Sequence, residues 1–200
     1  PVELELKSNE IDTDTWKKAL SEAIKIGILQ AHFSGREPTA RKDLEELVHH
    51  ASSNGLYTNL ITSGVLVTEE RLKKLYDAGL DHVQISIQDT DPENSEKIAG
   101  FKGHKKKLDT CALVRKVGIP LTINSVMHRQ NLHNLKSMIE LAIQLDAERL
   151  EVAQVQYYSW ALKNQTAFLP TREQLDNATK IVEEARIKYK GVLAIDYVVP

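Results

Sequence analysis

The chain has 200 residues, 42% of them hydrophobic, and a formal net charge of −2 with both signs interspersed. That length and apolar content suit one well-buried domain over residues 1–200, and the near-neutral charge excludes the broad basic face that nucleic acid or an anionic membrane surface would require. A single cysteine, Cys111, excludes a disulfide framework or an all-cysteine metal site built from this chain alone.

No apolar run approaches the roughly 20 residues of a membrane span and no secretory signal opens the chain, so the sequence predicts a soluble, cytoplasmic protein. In chain order, short β-branched or aromatic runs alternate with longer amphipathic segments. Strands are expected at 28–34, 57–63, 82–88, 120–127, 149–156 and 192–199, and helices near 39–53, 68–78, 105–117, 131–145 and 171–189. In the last helix Leu175, Ala178, Val182 and Ala185 keep a single buried stripe. Gly27, Gly55, Gly79 and Gly118 each stand just before a strand, where a helix C-cap belongs. The basic run 102–107 is expected to be a solvated helix face. Leu108, Cys111, Val114 and Val117 recur at three-residue steps on that helix, which makes Cys111 a small buried hydrophobe rather than a ligand. Strands followed by crossover helices give a parallel α/β sheet, open or barrel-like.

Such sheets bind and react at the carboxyl ends of their strands. There the sequence offers Ser34 to Pro38 after the first strand, Thr62 to Gly64 after the second and Ser86 to Asp89 after the third. Asn124, His128 and Arg129 follow on the fourth, and Gln156, Tyr157, Tyr158 and Trp160 on the fifth. Ser86, Gln88, Asn124, Gln154 and Gln156 are unusual inside strands, because a buried polar group costs about 1–3 kcal/mol unless something hydrogen-bonds it. Either a ligand or a neighbouring side chain supplies that partner. Ser34 and Glu37 also have the spacing of a capping box, with Pro38 suited to a first helical turn. Position alone permits Glu37, His32 or His128 to act as acid and base in a hydrolytic or lyase-type barrel, and it equally permits a module that only binds a peptide.

The ordered segments "HFSGREP", "YTNLITSG", "HVQISIQ", "LTINSVMHR", "QVQYYSWA" and "LPTREQLDNA" resemble the radical S-adenosylmethionine enzymes of pyrroloquinoline quinone biosynthesis, from about Thr13 to Pro200. The resemblance implies a partial, TIM-like (β/α)6 barrel and an oxidoreductase that uses S-adenosylmethionine with a [4Fe-4S] cluster. The implied substrate is a precursor peptide, PqqA, in which a glutamate and a tyrosine become joined by a carbon–carbon bond. A peptide chaperone, PqqD, and an electron donor are implied as partners. The family's Cys-x3-Cys-x2-Cys loop is absent, so the expectation is an internal fragment that lacks the first strand and the cluster loop. Such a fragment would be inactive alone, with the auxiliary clusters also lying outside it.

Carried over onto this chain, Gly35, Arg36, Glu37 and Pro38 occupy the family's Gly-Gly-Glu-Pro motif, which implies that Glu37 receives the ammonium of S-adenosylmethionine. Arg36 departs from the motif, replacing glycine with a side chain of the same charge as that ammonium. Ser63, Ser86, Gln88 and Asn124 are implied around the cofactor's carboxylate and ribose, and Arg129, beside His128, around a carboxylate of cofactor or peptide. Tyr157, Tyr158 and Trp160 are implied at the peptide-facing mouth.

Overall fold

In a computed structural model that describes residues 10–156 and 159–199, the strands form one parallel sheet in chain order. They are β1 Gln30–Phe33, β2 Tyr57–Thr62, β3 His82–Ser86, β4 Leu121–Met127, β5 Arg149–Gln154 and β6 Ala194–Val198. Between and around them lie α1 Thr13–Lys25, α2 Leu44–Ser53, α3 Glu69–Asp77, α4 Pro92–Ala99, α5 His104–Val117, α6 Leu135–Gln144, α7 Ser159–Lys163, α8 Gln165–Phe168 and α9 Arg172–Lys188. All six expected strands are present, each trimmed by one to three residues at an end.

Sequential order with right-handed crossovers places the connecting helices on one face of the sheet. The burial alternation follows. Leu60, Val83, Ile85, Leu121, Ile123, Leu150, Val152 and Ile195 point towards the helices and are buried. There they meet Leu44 and Val48 of α2, Leu72 and Leu75 of α3, Cys111 and Val114 of α5, Met138 of α6 and Val182 of α9. On the other face the register aligns Asn59 with His82, Ser86 with Asn124, and Asn124 with Glu151 and then Asp196. This second face is polar, and most of it is only half-buried or exposed. The architecture is an open, partial (β/α) barrel with an apolar convex layer and a polar concave lining.

Several helices differ from expectation. The segment 39–53 is broken: Pro38–Ala40 forms a 3-10 turn, Arg41 is extended, and α2 starts only at Leu44. Arginines cause the break. Arg41 forks onto Asp43 at 3.0 and 2.7 Å, while Arg71 donates to the carbonyls of Thr39 and Arg41, which a continuous helix would have used for its own amides. The segment 131–145 likewise opens with a 3-10 turn, Leu132–Asn134, before α6. Four helices were not anticipated: α1, α4, α7 and α8. Helix α4 carries clear end signals, since Asp91 caps the Asn94 amide at 2.7 Å, Pro92 follows, and Gly100 closes it at φ +77°. Only Ser95 of it is buried, so it shows no apolar period.

The basic run 102–107 is only partly solvated. Lys102, Lys105 and Lys106 are exposed, but Lys107 is 2% exposed and sits against the end of β3. All four strand-preceding glycines have positive φ, as a helix stop requires. At Gly79, φ +94°, an added Cβ would also overlap the Ser52 side chain.

The two faces of the sheet should respond differently to truncation. Ile85→Ala removes a wholly buried side chain and is expected to cost about 3 kcal/mol in urea unfolding, within the usual 2–5 kcal/mol range. Gln84→Ala, one residue earlier on the concave face, is expected to cost no more than about 1 kcal/mol. Equal losses would mean that the concave face is structural core.

Candidate cofactor site at the strand ends

At the tip of β1, Gly35 adopts φ +125°, a conformation that L side chains avoid, and so turns the chain from Ser34 towards Glu37. The Glu37 carboxylate then accepts five hydrogen bonds. One oxygen takes the Thr39 amide at 3.2 Å and the hydroxyls of Thr39 and Thr62 at 2.6 Å each, and the other takes the Ser63 amide at 2.9 Å and its hydroxyl at 2.5 Å. Burial opposes ionisation of Glu37, but the hydroxyls of Ser63, Thr39 and Thr62 and the Ser63 amide outweigh it and hold the carboxyl below its usual range. The carboxylate therefore ties the tip of β1 to the tip of β2. Thr39 carries no family signature, whereas Thr62 falls within the strand-end stretch 62–64 and the segment "YTNLITSG" without a role of its own. Glu37 caps its own 3-10 turn through Thr39, rather than completing a box with Ser34.

The residues 34–37 and Pro38 line a cavity of about 430 Å³, which runs along the outer side of β1 past Trp16, Phe33 and Leu44. Arg36 is exposed beside it.

Two strands away lies a second cavity, of about 460 Å³. Ser86, Gln88, Asn124 and His128 meet there with Val126, Val155 and Phe168. Buried brackets hold its walls. Asn131, fully buried, donates to the carbonyls of Gln88 at 2.7 Å and Val126 at 2.9 Å, and accepts the His128 amide at 2.8 Å. Asp89, also fully buried, accepts the Asp91 amide at 3.1 Å and the side-chain amides of Asn134, at 2.8 Å, and Asn94. Lys107 donates to the Ser86 carbonyl at 3.1 Å and to Gln88 Oε1 at 2.5 Å. Asn131 and Lys107 did not stand out by sequence, and Asp89 did so only as the last residue of the strand-end stretch 86–89: asparagine and aspartate after strands look like ordinary turn formers, and the lysine was hidden in a basic run.

His128 accepts the Gln130 amide on Nδ1 at 3.2 Å and meets the Phe168 ring edge-on at 5.4 Å. Burial pushes its pKa down against the opposing pull of Asp89, so the ring is neutral at pH 7 and carries no charge for a carboxylate. Arg129 is exposed, and its guanidinium donates to the Thr166 carbonyl at 2.9 Å, anchoring α8 at the cavity rim. Tyr157 and Tyr158 lie outside the described residues, and Trp160 lies in α7 with its side chain outside them.

Among the described residues no hydrogen bond joins Glu37, His32 and His128 to one another. His32 instead pairs with Asn59 and Gln30 on the concave face, at 3.3 and 3.2 Å. No described group of three His, Cys, Asp or Glu side chains could hold a metal. Cys111 is buried, and desolvation pushes its thiol up to about 12, far from the thiolate that iron needs. No iron–sulfur cluster fits the described residues. No described helix is long and apolar enough to cross a membrane.

Comparison with known proteins gives these features a family context. The chain is 60% identical over its whole length to a PqqA peptide cyclase of Bradyrhizobium diazoefficiens, of which it covers 53%. It thus spans about half the length of the curated relatives it matches. Among solved structures it is similar to SuiB of Streptococcus suis bound to S-adenosylmethionine, with a TM-score of 0.80 at 18% identity, covering 96% of this chain and 45% of SuiB. SuiB bound to its precursor peptide SuiA matches with a TM-score of 0.79 at 19% identity, covering 96% and 43%. Residues 3–142 match the model of the Radical SAM superfamily, and the chain belongs to that family.

Proposed function

We propose that this chain forms the S-adenosylmethionine-binding core of an enzyme that cross-links a glutamate and a tyrosine of the precursor peptide PqqA in pyrroloquinoline quinone biosynthesis. The observation that carries the reading is the pair of polar clusters at the carboxyl end of one parallel sheet, a turn held by Glu37 and a cavity lined by Ser86, Gln88 and Asn124. The 60% identical relative is named for this activity, and the same fold in SuiB accommodates S-adenosylmethionine and a precursor peptide.

The residues present suit the cofactor. The turn 34–37 can offer backbone carbonyls to the methionine ammonium. Glu37 already accepts five hydrogen bonds, so it contributes its negative charge and the shape of the turn rather than a fresh acceptor. Ser86, Gln88 and Asn124 offer hydroxyl and amide groups that both donate and accept, as a ribose diol requires, and Val126, Val155 and Phe168 offer apolar surface to a base. When bound, S-adenosylmethionine supplies, on one-electron reduction, the means to remove a hydrogen atom from the peptide glutamate. Arg129 and the segment 157–160, at the ends of β4 and β5, are assigned to the peptide, Arg129 by charge and Tyr157, Tyr158 and Trp160 by contact area. Delivery of the peptide by PqqD in the cytoplasm, and reduction by an electron donor, belong to the same reading.

Three outcomes test it. In the full-length protein, PqqA treated with S-adenosylmethionine and reductant should become lighter by the hydrogens a new carbon–carbon bond displaces, with tandem mass spectra placing the link between glutamate and tyrosine. A link between other residues would favour a different peptide-modifying reaction. Glu37→Gln should weaken S-adenosylmethionine binding by about tenfold or more in calorimetry and should destabilise the fold. Because the folded pKa of Glu37 is depressed, its contribution is full above the unfolded value of about 4.3 and is lost as pH falls through the folded pKa, so the stability gap between wild type and variant should close in acid. Arg36→Gly should strengthen binding by about tenfold, by removing a like charge and a Cβ from beside the ammonium; equal affinity would show that Arg36 points away.

A further inference from the structure

Lys107 is 2% exposed, and both hydrogen-bond acceptors its ammonium reaches are neutral: the Ser86 carbonyl at 3.1 Å and Gln88 Oε1 at 2.5 Å. The Phe101 ring lies 5.2 Å from Nζ and offers its face to the remaining donor. A buried ammonium without a hydrogen-bonded carboxylate is costly. Its value must lie in what it does to its acceptors.

One of them is a cavity wall. The Gln88 backbone is fixed independently of the lysine, by Asn131 on its carbonyl at 2.7 Å and by the Ile87 amide bonded to the Asn124 carbonyl at 2.9 Å. Of the side-chain torsions that remain, the terminal amide torsion is broad and roughly two-fold, so the oxygen and the NH2 group could exchange places. Lys107 breaks that symmetry. An ammonium only donates, so the amide must turn Oε1 towards α5, which leaves Nε2 on the other side. Among the described residues Nε2 makes no hydrogen bond, and Gln88 lines the 460 Å³ cavity.

We propose that Lys107 is a positioning residue that fixes the Gln88 amide with its NH2 group facing the cavity, so that this wall always presents a donor to an acceptor atom of the bound nucleoside. The proposal rests on the assignment of the cavity to S-adenosylmethionine. It also makes the cavity selective, since a ligand with a donor at that point would face another donor.

The test is a double-mutant cycle in the full-length, cluster-loaded protein, with equilibrium binding of S-adenosylmethionine as the readout. Lys107→Met should weaken binding by about tenfold when Gln88 is present, and by no more than about twofold in a Gln88→Ala background. A purely structural lysine would give the same loss in both backgrounds, and that result overturns the positioning role. Gln88→Ala binding as tightly as wild type would instead overturn the cofactor reading of the cavity, and the inference with it. Gln88→Glu covers the case in which Lys107→Met does not fold. It keeps an oxygen on Lys107 and strengthens that contact, yet has no NH2 group. It should melt no lower than wild type and bind about tenfold more weakly; wild-type affinity in Gln88→Glu overturns the proposal.

Discussion

Because successive strands pair in chain order and their crossovers share one hand, the helices can cover only one face of this sheet. The two-residue period of the strands then sorts side chains strictly, apolar residues towards the helices and polar ones towards the open side. A one-residue shift in any strand would bring polar residues such as Gln84 or Asn124 into the apolar layer and expose Ile85 or Ile123, so burial on the convex side fixes the register on the concave one. The polar lining is thus positioned by a core it does not belong to. Its own hydrogen bonds, such as His82 to Thr122 at 2.7 Å and Gln84 to Glu151 at 3.2 Å, run diagonally between positions two residues apart in the register and join side chains the core has already placed on one face.

At the mouth, where strands end and the core no longer dictates geometry, buried polar brackets take over. Glu37 joins β1 to β2, Asn131 joins β3 to β4, and Asp89 joins the loop after β3 to α4 and to the turn before α6. A neutral hydrogen bond contributes only about 0.5–1.5 kcal/mol net, but losing one partner of a buried group costs that group's desolvation as well. Brackets of this kind add modest stability and strong specificity, because any other loop conformation strands a carboxylate or an amide.

The repeating core was legible because its signals are periodic. The stripe and the glycine stops at 27, 55, 79 and 118 depend only on spacing: Ala178, Val182 and Ala185 are buried in α9, with Leu175 only half-buried at its start, and the four glycines turn the chain before the strands. What could not be read depends on single pairings between distant residues. Arg71 captures the carbonyls of Thr39 and Arg41 across some thirty positions and so interrupts a helix whose local sequence would continue. Lys107 looks like its neighbours in the basic run until the fold brings Ser86 and Gln88 to it. The stretch 35–38 was legible by resemblance, yet its carboxylate turned out to be occupied by Thr39, Thr62 and Ser63, of which Thr39 lies in no quoted segment.

Those distant pairings converge on α5. Within little more than one turn of this helix, Lys106 donates to the Val67 carbonyl at 3.0 Å, Thr110 to the Gly64 carbonyl at 2.8 Å and Lys107 to the Ser86 carbonyl at 3.1 Å. The loop after β2, whose Ser63 holds Glu37, and the end of β3, which carries Gln88, are therefore gripped by one rigid element. Cys111 and Val114, fully buried further along α5, lock the helix to the core. A ligand that spans the turn at Glu37 and the cavity at Gln88 meets two clusters whose separation is set by a helix packed on the core rather than by loops. Such a ligand loses little affinity to ordering its site, which is the physical benefit of preorganisation. The position of α5 thus matters to the mouth of the barrel as much as any residue that touches the ligand.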